Sequence, residues 1–217
     1  MKYLLLILLL TSCKKDNNIT YYATGEKKAE LYFDGNNRST IVQYYKNGII
    51  KSNGVVRENK KIGWWNYFDK SGKISSKKEF IHVDEKVYLN QKIYYNEGRI
   101  VSKKSDFFKV QFSDTVEVGK NIGDVIFKPI YSNKSKVKVL IYENNDYSET
   151  WSSNEKIKDT FYMPTNEDVW FGFNITRKGT NYIKGQIIEE DYEIDKDTLG
   201  YSLFVTNKYF IKKIFIK

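Results

Sequence analysis

Two patterns of apolar and polar positions divide this chain. Across its first half, pairs of aromatics alternate with short polar segments that end in glycine. Tyr44-Tyr45-Lys46-Asn47-Gly48-Ile49-Ile50 is followed by Tyr67-Phe68-Asp69-Lys70-Ser71-Gly72-Lys73-Ile74 and then by Tyr94-Tyr95-Asn96-Glu97-Gly98-Arg99-Ile100. The glycines step by 24 and 26 residues. Each copy offers two strand-forming aromatics, a polar turn whose glycine accepts a positive φ, and a β-branched return, so each predicts a hairpin. Leu31-Tyr32-Phe33-Asp34-Gly35 reads as a worn first copy, and Gly63 precedes a further aromatic strand. Successive side chains of a strand face opposite ways, which puts Trp64, Asn66 and Phe68 on one face and Trp65 and Tyr67 on the other. Both faces then carry aromatic bulk, one to stack rung on rung as core and the other open to contact.

From about residue 106 the repeats stop, and short apolar runs are separated by polar turns such as Ser132-Asn133-Lys134-Ser135 and Arg177-Lys178-Gly179-Thr180-Asn181. The runs predict strands at 124–128, 136–143, 159–162, 169–176, 182–190, 199–206 and 209–216. Such a number of strands in about 105 residues predicts an antiparallel sandwich of immunoglobulin-like type. Trp151 and Trp170 are expected in its core, with 209–217 as a closing strand. The whole is an all-β chain, a repeat-built antiparallel meander over 25–105 followed by a β-sandwich over 106–217. Residues 1–12 read as a signal peptide and 13–24, which lack periodicity, as a tether.

The N-terminus carries an address. Lys2 supplies a positive start, Leu4 to Leu10 form an apolar run too short to span a bilayer, and small residues precede Cys13, the one cysteine of the chain. Leu10-Thr11-Ser12-Cys13 resembles the lipobox of bacterial lipoproteins. That resemblance implies cleavage before Cys13 and acylation of its sulfur, with several tens of buried methylenes at about 0.8 kcal/mol each holding the protein to a membrane. Lys14 stands where an Asp would resemble an inner-membrane retention signal, which favours the outer membrane. Lys14-Lys15-Asp16 partly resembles the surface-export signal of Bacteroidota lipoproteins. The first half, best between residues 44 and 81, resembles the bacterial variant of the membrane occupation and recognition nexus (MORN) repeat. The resemblance implies a sheet that lengthens by one hairpin per unit and works through protein or surface contacts.

Charge refines this picture. The formal charge is +9, and residues 14–110 hold 20 basic and 11 acidic residues against 15 and 16 in 111–217. Only Arg38, Arg57, Arg99 and Arg177 supply guanidinium groups, so the fork that reads phosphates and guanine edges is scarce, and nucleic acid is not the expected partner. One Cys and one His, His82, exclude zinc-finger sites and disulfide frameworks. His82 between Ile81 and Val83 reads as a surface imidazole on a strand. Glu189, Glu190, Asp191, Glu193, Asp195 and Asp197 form one acidic cluster, which departs from EF-hand spacing and reads as a solvated strand end rather than a metal site. Nucleophile elbows and phosphate-binding glycine loops are absent from the sequence. The expectation is therefore a binding or scaffold protein of the cell envelope, not an enzyme, with no cofactor and no metal. Its partner is a protein or, alternatively, an acidic glycan or peptidoglycan gripped by aromatic and Lys side chains. Trp64, Trp65, Tyr67, Tyr94 and Tyr95 are the candidate ligand contacts.

Overall fold

The computed structural model describes residues 18–33, 37–131, 134–142, 151–152, 154–163, 168–194 and 200–217, and every helix or strand among them is a strand. Cys13, the signal segment, Gly35, Asp195 and Asp197 lie outside the described residues. The first eight strands are β1 (Asn18–Tyr21), β2 (Lys27–Phe33), β3 (Arg38–Tyr44), β4 (Ile50–Arg57), β5 (Lys60–Phe68), β6 (Ile74–Val83), β7 (Lys86–Asn96) and β8 (Arg99–Ile100). They form one antiparallel meander in chain order. One end of this sheet turns on glycines: Gly25, Gly48, Gly72 and Gly98 all take positive φ, between 78° and 94°. Three of those turns share one geometry. Gly25 donates its N–H to Tyr22, Gly48 to Tyr45 and Gly72 to Asp69, each at 3.0 Å, while the first residue of the turn bonds the fifth. Tyr21-Tyr22-Ala23-Thr24-Gly25 thus makes the same turn as the later copies, and β1 lies inside the segment read as a tether, while the Asp34-Gly35 turn of the stretch around Leu31 lies outside the described residues. At the opposite end two of the described reversals, after β4 and after β6, are made without glycine. Glu58 and Asn59 both sit at positive φ, the requirement of a two-residue type I′ turn, and Asp84 at φ 52° opens the turn after His82. The connection that lacks a glycine therefore does not interrupt the sheet.

The two faces differ as alternation requires. Trp65 is 1% exposed and lies across Gly54, where a Cβ would stand 2.3 Å from the indole. Its Nε1–H donates to the Val55 carbonyl at 3.0 Å, Phe80 meets it edge-on at 6.5 Å, and the Lys61 ammonium lies 4.2 Å from its ring centroid. Such lids recur over this sheet: Lys27 over Tyr44, Lys28 and Lys46 over Tyr22, Lys51 over Tyr45, Lys61 and Lys78 over Tyr67. Lysine stems cover aromatic faces while the ammonium stays wet. This accounts for much of the basic excess of the first half. Among the described residues the buried apolar side chains of the sheet are Val56, Trp65 and Val83, so it is a single layer held by cross-strand stacking rather than by a core of its own.

The second half is β9 (Phe108–Gln111), β10 (Thr115–Val116), β11 (Gly119–Phe127), β12 (Lys136–Tyr142), β13 (Ile157–Tyr162), β14 (Val169–Ile175), β15 (Gly179–Ile194) and β16 (Tyr201–Ile216). One sheet runs β10-β16-β15-β12-β13 and the other β14-β11-β9. With β9, β11 and β14 as strands A, B and E, and β12, β13, β15 and β16 as C, C′, F and G, this is the partition of an immunoglobulin-type sandwich. Val125, Phe127, Phe171 and Phe173 from the small sheet meet Val139, Ile141, Ile187, Phe210 and Ile214 from the large one in a single core. The alternation in β14 buries Val169, Phe171, Phe173 and Ile175, so Trp170, expected in the core, points outward at 68% exposed. Trp151 is buried as expected. The runs 199–206 and 209–216 are not two strands but one, β16, continuous through Asn207 and Lys208. It lies between β15 and the short parallel strand β10 rather than closing an edge.

Candidate functional site

The meander is sutured to the sandwich by side chains of β7. Asn90 donates from Nδ2 to the Tyr209 carbonyl at 2.7 Å and accepts from the Tyr209 N–H at 2.8 Å, so an amide takes the place of a neighbouring strand on β16. Beside it Gln91 accepts from the Phe108 N–H at 3.0 Å. The backbones of Lys92 and Asp106 exchange two hydrogen bonds of 2.8 Å, and Asp106 pairs with the buried Lys208 at 2.6 Å. Glu79 anchors both amides, accepting from Asn90 at 2.6 Å and Gln91 at 2.7 Å. Burial pushes its carboxyl above the usual carboxylate range, against the pull of those two amides and of Lys208. At the far end of β6 the Asp84 N–H donates to the Trp151 carbonyl at 3.2 Å.

These contacts leave a cleft of about 690 Å³ between the sheet and the sandwich. The sheet contributes Arg38, Arg57, Trp64, Glu79 and His82 to its lining, and the sandwich Trp151, Tyr209 and Lys213. Arg38 and Arg57 are directly opposite one another in the β3–β4 ladder. Trp64 is 39% exposed, and His82, half-buried rather than at the surface, bonds the Lys61 carbonyl through Nε2 at 2.9 Å. The Trp151 ring stacks edge-on with Tyr142 and Tyr209, each at 5.1 Å, while its buried Nε1–H finds no acceptor among the described residues.

The five aromatics singled out from the sequence do not converge. Trp64 alone lines the cleft. Trp65 and Tyr67 face the other side of the sheet, where Tyr67 is held by the Lys61 ammonium, 3.0 Å from its hydroxyl. Tyr94 continues that other face opposite Ser76, its N–H donating to Ser105 at 3.0 Å, and Tyr95 follows it near the sheet edge. Trp65 is covered and presents no open ring face. Arg38, Arg57 and Lys213 were not singled out from the sequence; the one available signal was that two of four arginines stand 19 residues apart across a predicted hairpin.

The acidic cluster separates into unlike parts. Glu189 is fully buried and accepts from the Ile130 N–H at 2.8 Å and the Tyr131 N–H at 3.0 Å, while Glu190 pairs with Lys138 at 2.9 Å. Among the described residues His, Cys, Asp and Glu side chains do not gather in threes as a metal site would require. Asp191 and Glu193 lie on an arm. β12 pairs with β15 over residues 185–190, and beyond it Asp191–Ile194 pair only with β16 among the described strands. Cross-strand pairs Tyr192/Leu203 and Ile194/Tyr201 share one face, with Ile194 and Tyr201 each 73% exposed, while Asp191 and Glu193 occupy the reverse.

Comparison of the chain with protein-family models, with curated proteins and with solved structures finds no match.

Proposed function

We propose that the protein is a lipid-anchored binding protein of the cell envelope, seated in the outer membrane through Cys13, that docks a partner protein on the apolar face of the β15–β16 arm. The lipobox resemblance at residues 10–13 supports the anchor, and the repeat resemblance supports a role in contacts rather than in chemistry. The arm is the observation that carries the docking. A two-stranded ribbon is marginally stable in water, yet this one presents Tyr192, Ile194, Tyr201 and Leu203 together on one exposed face. Contiguous exposed apolar surface of that kind marks an interaction site. The acids on its reverse select a partner with an apolar centre and a basic rim, since opposite potentials steer encounter and exclude wrong partners.

The test is crosslinking in native envelopes followed by isolation at low and high salt, for the wild type, an Ile194→Ser/Leu203→Ser variant and a Trp64→Ala variant. A stoichiometric protein held at both salts by the wild type and by Trp64→Ala, and lost with the arm variant, is the expected result. Equal recovery with the arm variant, or recovery of a second copy of this chain alone, would overturn the reading.

A further inference from the structure

We infer that Lys208 and Asp106 condense into an intramolecular isopeptide bond, a covalent staple between the last strand of the sandwich and the segment by which the chain enters it. The site is separate from the arm and from the anchor. Three observations carry the assignment.

The first is the pair itself. The Lys208 Nζ lies 2.6 Å from Asp106 Oδ2, and the two side chains are only 5% and 15% exposed. An ammonium and a carboxylate taken out of water recover that cost only where their remaining protons and lone pairs are also satisfied. Here they are not, since Asp106 Oδ1 is buried and has no hydrogen-bond partner among the described residues. Condensation removes both charges and expels one carboxyl oxygen.

The second is positioning. Asn90 bonds both the N–H and the carbonyl of Tyr209, the residue after Lys208, while Lys92 exchanges two backbone hydrogen bonds with Asp106 itself. Between them Gln91 accepts from the Phe108 N–H. Three consecutive residues of β7 thus fix the backbones of amine and acid together. Two reactants held in contact react as though at very high concentration.

The third is the dryness of the surroundings. Two positions beyond each reacting residue, Phe108 and Phe210 are both buried and their ring centroids lie 6.3 Å apart. Nearby, burial holds the Glu79 carboxyl above its ordinary range even though Lys208 pulls the other way, so this ground disfavours charge. Such a medium favours a neutral amine beside a neutral acid over an ion pair, and excluded water cannot reverse the product.

The atoms balance without a co-reactant. One proton passes from Nζ to the carboxylate, the freed lone pair attacks Cγ, and a second Nζ proton joins the departing hydroxyl. The Nζ–Cγ bond forms, a Cγ–O bond breaks, and one water leaves. The buried Lys184–Glu155 pair, at 2.7 Å, lies outside the suture made by β7 and serves as the internal control.

The full chain, purified in detergent, is denatured, digested with trypsin and sequenced by mass spectrometry. The expected product is a branched peptide joining the segment that holds Asp106 to the segment that holds Lys208, one water lighter than their sum and uncut after Lys208. Lys208→Arg keeps the positive charge but offers no amine nucleophile, and should give linear peptides only; Asp106→Ala should do the same. Melting of Lys208→Arg should fall below that of the wild type, whose staple closes a loop between positions 102 residues apart. Linear peptides alone from the wild type, or a branch joining Lys184 to Glu155 in its place, would overturn the assignment.

Discussion

At the scale of single residues, adjacent tryptophans have opposite tasks because a strand sends neighbours to opposite faces. Trp65 fills the space above Gly54 and should cost about 3–5 kcal/mol when cut to Ala, the range for large buried aromatics. Trp64, partly open in the cleft, should cost about 1 kcal/mol or less. Urea unfolding of the two variants checks this, and an inverted ranking would refute the assignment of faces. Glu30 gives a pH signature. Its carboxylate accepts from the Lys27 ammonium and from the hydroxyls of Tyr32 and Tyr44, both at 2.6 Å, and is held down to about 2 from the ordinary 4.5, Lys27 contributing most. A depressed carboxyl stabilises the fold above its unfolded value, and that stabilisation is lost as pH falls through 4.5 towards about 2. Melting temperatures of wild type and Glu30→Gln should therefore differ at neutral pH and converge in acid. Glu79 has the opposite sign: its raised pKa makes the folded state hold its proton more tightly, so its contribution declines as pH rises above 4.5. Substitution Glu79→Gln should flatten that decline, which the same pH series of melts would show.

At the scale of elements, the repeat sheet is an array of hairpins with unlike ends. Glycines stand in each turn at one end, and among the described residues Glu58, Asn59 and Asp84 take the left-handed positions at the other. The glycine turns also stack on each other: the Tyr22 hydroxyl donates to the Tyr44 carbonyl at 2.7 Å, the Tyr45 hydroxyl to the Phe68 carbonyl at 2.8 Å, and Asn47 to the Lys70 carbonyl at 3.2 Å. Such bonds explain why a single layer holds its register with little buried apolar surface. What it lacks in core it gains by docking. Asn90→Ala would strip both partners from the Tyr209 backbone, at about 1–3 kcal/mol for each buried group left unsatisfied. Calorimetry should then show the sheet melting ahead of the sandwich; one unshifted transition would mean that the remaining contacts carry the junction alone.

At the scale of the whole molecule, the parts divide the work. The sandwich supplies the hydrophobic core, the meander supplies an extended surface leaning on it, and the cleft and the arm lie in different places. The proposed anchor is tested independently of both: Cys13→Ala should release the protein from membranes, and retention after a high-salt wash would refute lipid attachment.

The all-β class, the hairpin repeat and the sandwich were legible in the chain because they rest on local rules. Period-two alternation, a glycine at each tight turn and β-branched runs act within a few residues of one another. The same alternation assigned Trp64 and Trp65 to opposite faces. Which face would be covered was not legible, since that depends on where residues over a hundred positions away in sequence come to lie, as Tyr209 does against Asn90. Trp170 was misplaced for the same reason: a tryptophan is a good core residue by size, but the register of β14 against β11 turned Val169 and Phe171 inward instead. β1 escaped notice because a strand of four residues with only Ile19 and Tyr21 as apolar positions is too short for its alternation to stand out, and β15 and β16 proved longer than their apolar runs because each supplies the other's hydrogen bonds through polar stretches. Local backbone and side-chain physics is written residue by residue and determined the elements. The cleft, with Arg38, Arg57, Trp64 and Lys213 around it, exists only after two separately patterned halves pack, so it was decided by the tertiary structure alone.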